Sequence, residues 1–186
     1  MKGVTDSAAA SAHPQPEPPL DHVARIQREW ARERPDVDVR PQGVIGRLHR
    51  LAGFLTEELC VVYREHGLGE GDFDVLATLR RAGEPFERAP SELAEHTMVT
   101  TGAMTKRIDR LERAGLATRR PSEADGRGRV VALTARGREL IDRAFTAHMA
   151  NERRLLGALS EDEAGQLEAL LTKWLAVVEP PGGPGA

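Results

Sequence analysis

Cysteine is nearly absent from this sequence of 186 residues, which has Cys60 alone. A single thiol excludes an internal disulfide and a cysteine-rich zinc cluster, and it fits a reducing compartment, for which the cytoplasm is the natural assignment. The histidines at 13, 22, 49, 66, 96 and 148 lack ligand-like spacing with one another or with Cys60, so a metal site finds no support. No stretch approaches the roughly 18 consecutive apolar residues of a membrane span. Met1 to Pro19 also lacks the apolar centre of a signal peptide, so the chain is expected to be neither exported nor anchored. There is no glycine-rich phosphate loop, no Gly-x-Ser-x-Gly elbow and no Cys/His pair suggesting an activated nucleophile. Those absences argue against an enzyme, and nothing calls for a cofactor.

What is present is charge, unevenly placed. The net charge is -3, yet Arg88 to Arg138 holds eleven Lys/Arg against six Asp/Glu, and the rest of the chain holds 15 against 23. A basic segment on an acidic scaffold suits phosphate contact without indiscriminate adhesion. With 40% hydrophobic residues, the length fits one globular domain with an arm.

Residues 1–19 end in His13-Pro-Gln-Pro-Glu-Pro-Pro19 and read as a disordered arm, as do 179–186 as a tail. Within an extension over 20–42, Asp21 to Arg34 predicts a short helix with Val23, Ile26 and Trp30 on one face, stopped by Pro35. From about Gly43 to His66, Val44, Leu48, Leu51, Leu55, Leu59 and Val62 recur at helical steps, and Gly67 and Gly69 end the run. Asp72 can cap a helix carrying Val75, Leu76 and Leu79, broken at Ala82-Gly83 and followed by a loop containing Pro85. Pro90 suits the first position of a brief helix to His96 that packs through Leu93 and Ala94, and the turn is His96 to Thr100.

Thr101 to Ala114 predicts a helix with Met104, Ile108 and Leu111 on one side and Lys106, Arg110 and Arg113 on the other, stopped by Gly115. Leu116 to Arg120 and Arg129 to Leu133 read as strands joined by the charged loop Pro121 to Gly128. Thr134 can cap a long helix to about Leu156, and Ser160-Glu-Asp-Glu163 is a capping box for a last one. The last helix carries the stripe Leu167, Leu170, Leu171, Trp174, Leu175 and Val178. The order gives a mainly α fold with a small β-hairpin wing: a winged helix-turn-helix over 72–134, with helices at 43–66 and 135–178 suited to dimerisation.

Such a module points to double-stranded DNA. The helix would present Thr100, Thr101, Thr105, Lys106, Arg107, Arg110 and Arg113 to the major groove, and the wing would bring Arg120, Arg127 and Arg129 to phosphates or the minor groove. A two-fold dimer would read half-sites of a pseudo-palindromic operator. The alternative is a winged helix that binds another protein, since fold alone does not fix function.

Several motifs then appear in order: Ser91-Glu-Leu-Ala-Glu95, Thr101-Gly-Ala-Met-Thr105, Arg107-Ile-Asp-Arg-Leu-Glu-Arg-Ala-Gly-Leu116, and Asp125-Gly-Arg-Gly-Arg129 ahead of Val131-Ala-Leu-Thr134. Over about Gly43 to Val178 the sequence resembles the MarR family of winged helix-turn-helix regulators. The resemblance implies a homodimer held by its first and last helices, repressing nearby genes and released from DNA by a small ligand. The extension before Gly43 is similar to the branch with an added N-terminal helix, some members of which sense urate or other small anions. That likeness carries a ligand role onto Trp30, Asp74, Arg107 and Arg119. An indole can stack on a planar ligand, and the arginines can pair with its charge.

Plainer readings stand beside these. The basic helix face could be solvated, with Asp109 and Glu112 as local partners. Trp30 could be a core or dimer-interface aromatic, Asp74 a first-turn acid favouring the helix dipole, and Arg119 a residue that contacts phosphate or holds the wing. Asp125 reads as shaping the wing, and Cys60 as a buried, inert thiol.

Overall fold

The structure, a computed structural model, describes residues 20–97, 101–122 and 128–179. The expected arm (1–19), most of the expected tail (180–186), Thr100, Asp125 and Arg127 lie outside the described residues, as does the side chain of Thr101. The chain divides into two compact units, one ending at Ala52 and the other starting at Gly53. Each is built differently.

The first unit holds α1 (His22–Glu33) and the first half of α2 (Arg40–Glu65). Asp21 caps α1 by accepting the Ala24 N–H at 2.8 Å, and its other carboxylate oxygen pairs with Arg47 Nε at 2.7 Å. Val23 is buried, and a Cβ at Gly46 would stand 3.1 Å from it. The absent side chain there lets the two helices approach. α2 starts at Arg40, earlier than the expected Gly43, because Pro41 needs no N–H partner in a first turn and Asp38 accepts the Arg40 N–H at 3.0 Å.

In the second unit, α2 continues and is followed by α3 (Glu70–Arg81), β1 (Glu87–Arg88), α4 (Pro90–His96) and α5 (Thr101–Arg113). Then come β2 (Ala117–Pro121), β3 (Arg129–Leu133), α6 (Ala135–Leu156) and α7 (Glu161–Val178). α3 begins two residues before the expected cap: Gly69 precedes the helix, and Asp72 lies in the first turn, accepting the Gly69 N–H at 3.3 Å. The sheet has three antiparallel strands in the order β1-β3-β2, one more than the expected hairpin. The added strand pairs Glu87 with Ala132 and Arg88 with Val131. Two residues carry too little alternation to be read as a strand, and β1 exists only because the β3 edge is there to receive its backbone groups.

The core is formed by the stripes expected of α3, α4 and α5. Val75, Leu76, Leu79, Leu93, Met104, Ile108 and Leu111 are buried together with Leu116, Val131 and Ile141. Each large aliphatic side chain so removed from water contributes about 1.5–3 kcal/mol. At Gly137 a Cβ would stand 1.9 Å from the Leu116 carbonyl oxygen, so glycine is what allows the first turn of α6 to sit on the backbone entering β2. Thr134 closes this joint, accepting the Gly137 N–H at 3.0 Å and donating its hydroxyl to the Gly115 carbonyl at 2.8 Å. Cys60 is half-buried against the core, less enclosed than expected.

Candidate nucleic-acid interface

α4 and α5 form the two helices of the helix-turn-helix, and α5 is seated by burial of Met104, Ile108 and Leu111. At 100° per residue this fixes what the rest of the helix faces. Lys106 and Arg113, seven residues apart, form the ridge opposite the apolar stripe, and both are exposed. Thr105 is exposed beside them. Arg107 and Arg110 share one flank, and Asp109 and Glu112 share the other.

Each flank is occupied. On the first, Arg110 makes a forked contact with Asp72 of α3, Nε at 2.8 Å and Nη2 at 2.6 Å from Oδ1. Beside it the Arg107 guanidinium lies over Gly71, where a Cβ would stand 2.3 Å from Cζ. Arg107 Nη1 is buried and has no hydrogen-bond partner among the described residues. On the second flank, Arg119 of β2 reaches back to α5. Its backbone N–H donates to Glu112 at 2.7 Å, and its guanidinium pairs with Glu112 and, at 2.5 Å, with Asp109. Asp109 and Glu112, expected as local partners of the basic residues of α5 itself, instead pair with Arg119, which ties the wing to the helix.

In the wing, Arg120 forms an ion pair with Glu87 across β3, and Arg129 is exposed opposite Pro121. Thus Lys106, Arg113, Thr105 and Arg129 stand on the outer surface, whereas Arg110, Arg119 and Arg120 are engaged with carboxylates of the same unit. The sequence did not single out Asp72, read as a cap, or Glu87, read as loop. Their partners lie 38 and 33 positions away, and no local pattern announces such pairs.

Of the residues carried over for a ligand, Asp74 and Arg107 come near each other in the second unit. Burial raises the Asp74 carboxyl above the usual carboxylate range and Glu70 adds to this, while the charge of Arg107 acts the other way. Asp74 also lines a cavity of about 290 Å³ with Phe73, Arg81, His96, Phe145 and His148. His148 stacks on Tyr63, whose hydroxyl is pushed up to about 12 by burial, and places Nε2 3.2 Å from Glu152. Trp30 belongs to the first unit, where it lines a separate cavity of about 350 Å³ with Arg34, Val37 and Gln42.

Comparison with known proteins gives a consistent result. The profile of the MarR family matches residues 66–128. The chain is 42% identical over 149 residues to the HTH-type transcriptional regulator PecS of Dickeya dadantii, covering 80% of this chain and 90% of that protein. It is 32% identical over 136 residues to the HTH-type transcriptional repressor Rv2887 of Mycobacterium tuberculosis, covering 73% and 94%. Among solved structures, it is similar to Sco5413, a MarR family transcriptional regulator from Streptomyces coelicolor, at a TM-score of 0.65, with 28% identity over 76% of this chain and 96% of that one. A mutant MarR from E. coli complexed with operator DNA matches at a TM-score of 0.63, with 29% identity, 75% and 99% covered.

Proposed function

The chain belongs to the MarR family, and on that premise we propose that it is a transcriptional regulator, not an enzyme, that binds double-stranded DNA sequence-specifically as a homodimer. One observation carries the reading: α5 buries its apolar stripe in the core and turns Lys106 and Arg113 outward beside an antiparallel wing that exposes Arg129. A helix so presented fits the major groove. Thr105 joins these contacts, and Thr100, Thr101 and Arg127 complete the proposed set from positions whose side chains are not described. Relatives named as repressors and the operator complex of a similar protein support repression as the outcome.

Dimerisation is supported by apolar surface left open in the second unit: Leu170, Trp174, Leu175, Val177 and Val178 of α7, with Phe145 and Met149 of α6, are exposed. A second copy would cover them and set two recognition helices about one helical turn apart, matching a pseudo-palindromic operator. Among the described residues no helix is long and apolar enough to cross a membrane.

The effector in this reading is a small aromatic anion, such as urate or a related compound, for which Asp74, Arg107 and Arg119 are the candidate residues of the second unit and Trp30 the candidate of the first. The buried Nη1 of Arg107 supports it, because an unpartnered guanidinium nitrogen is an anion donor in waiting. Release of DNA requires that the anion bind the released conformation more tightly than the DNA-bound one.

The test is binding of the purified protein to DNA upstream of its own gene across a salt series, with and without urate. Steeply salt-dependent binding that prefers this DNA over random duplex is expected, and urate weakens it. Indifference to urate and related anions removes the effector and leaves the regulator. Binding with neither salt dependence nor sequence preference removes the regulator in favour of a protein-binding winged helix.

A further inference from the structure

The forked contact between Asp72 and Arg110 joins two residues of unlike exposure. The Asp72 side chain is 10% exposed, and that of Arg110 is 52% exposed at the edge of the outward ridge of α5. A bidentate guanidinium-carboxylate pair fixes orientation as well as distance. Here it fixes one flank of α5 to α3, while Arg119 fixes the opposite flank to β2 through Asp109 and Glu112. Two attachments on opposite flanks set the roll of a helix about its own axis. The buried stripe sets which side of α5 faces outward, and these directional contacts narrow the roll that remains within that choice. Each residue of roll error equals 100° on the helix surface, and a fraction of that carries Lys106 and Arg113 away from the groove.

We propose that Arg110 is a positioning residue, acting on DNA recognition through Asp72: the pair holds α5 at the roll that points Lys106 and Arg113 at the duplex. Asp72 is thereby a determinant of sequence preference although its carboxylate is enclosed and touches no base. The inference rests on the DNA-binding reading, and it makes a prediction opposite to that of a direct phosphate contact by Arg110. It also accounts for an acid in a module otherwise built to meet phosphates. Enclosed and paired, the carboxylate does not repel the duplex as an exposed one would.

The test uses the full chain and a duplex selected by the wild-type protein from a random pool, so that failure of any duplex to be selected speaks against DNA recognition itself and not against the pin. Asp72→Asn keeps an oxygen for the Gly69 N–H and removes the charge that holds the fork. Asp72→Asn, Arg110→Gln and the double variant are measured for affinity to the selected and to a random duplex, with circular dichroism as the folding control. Each single change is expected to lower the ratio of selected to random affinity about tenfold. The double change is expected to lower it no further, with the slope of log affinity against log salt unchanged. Arg110→Lys, which keeps the charge but not the fork, should lose the same preference, and it decides the matter should Asp72→Asn unfold. The proposal is overturned if Arg110→Gln reduces the salt slope by about one and weakens both duplexes alike. Additive losses from the two changes, or full preference retained by Arg110→Lys, overturn it as well.

Discussion

The apolar stripes of α3 and α7 look alike in sequence and end differently in the fold. Val75, Leu76 and Leu79 of α3 are 0% exposed, enclosed by α5, α6 and the sheet. On α7 no residue is buried: Leu170 is 65% exposed and Val177 78%. Both helices are capped within their first turn, by Asp72 on Gly69 and by Ser160 with Glu163, so the difference is not one of helix formation. Periodicity identifies which face of a helix avoids water. What covers that face is a separate matter, decided for α3 inside the chain and, in our proposal, for α7 by a second copy.

The sharpest break of this comparison is Leu79→Ala. It empties a site with no exposure and should destabilise the fold by about 2–5 kcal/mol in urea unfolding. A loss below about 1 kcal/mol would mean the site collapses freely and is not a packed core. Gly137→Ala should follow at about 1–3 kcal/mol, since the added methyl meets the Leu116 carbonyl rather than a side chain able to move.

Trp174→Ala combined with Leu170→Ala should act in the other sense. Sedimentation should show the dimer dissociating at concentrations where the wild type stays paired, with the helical circular dichroism signal of the protomer kept. Unchanged association would exclude this face of α7 from the interface.

Asp74→Asn gives the smallest effect and sharpens the comparison at its middle, where an acid is half enclosed. Its carboxyl titrates above its ordinary value in the folded chain, so the ionised form is disfavoured by folding. That penalty is fully present above the raised folded value and disappears as pH falls through it. The variant should therefore melt slightly higher than wild type at neutral pH, with the gap closing on acidification. A variant that melts lower than wild type at neutral pH, with the deficit vanishing in acid, would show that Arg107 outweighs burial at this position.

Much of the fold could be read from local pattern because the signals are local. Pro90 at the start of α4, Gly115 after α5 with its positive φ of 67°, Thr134 at the cap of α6 and Ser160 at that of α7 each act within a few residues of themselves. The outward ridge of α5 could be read for the same reason, since Met104, Ile108 and Leu111 define its opposite. The fate of individual arginines could not. Lys106 and Arg113 stand exposed as expected, whereas Arg110, Arg119 and Arg120 each found a carboxylate, two of them on other elements far along the chain.

By itself, then, the sequence determined the order of helices, the wing, the buried stripes and the concentration of positive charge in one segment, all of which follow from hydrophobic period and turn chemistry within short windows. Tertiary structure alone decided that β1 joins the sheet, that Asp72 grips Arg110, that Gly71 shelters Arg107 and that the α7 stripe stays open. Each of these depends on which surfaces meet when the elements pack. A charge pair across 38 residues leaves no trace in the pattern of either partner's neighbourhood, because its energy arises only once the chain has brought them together.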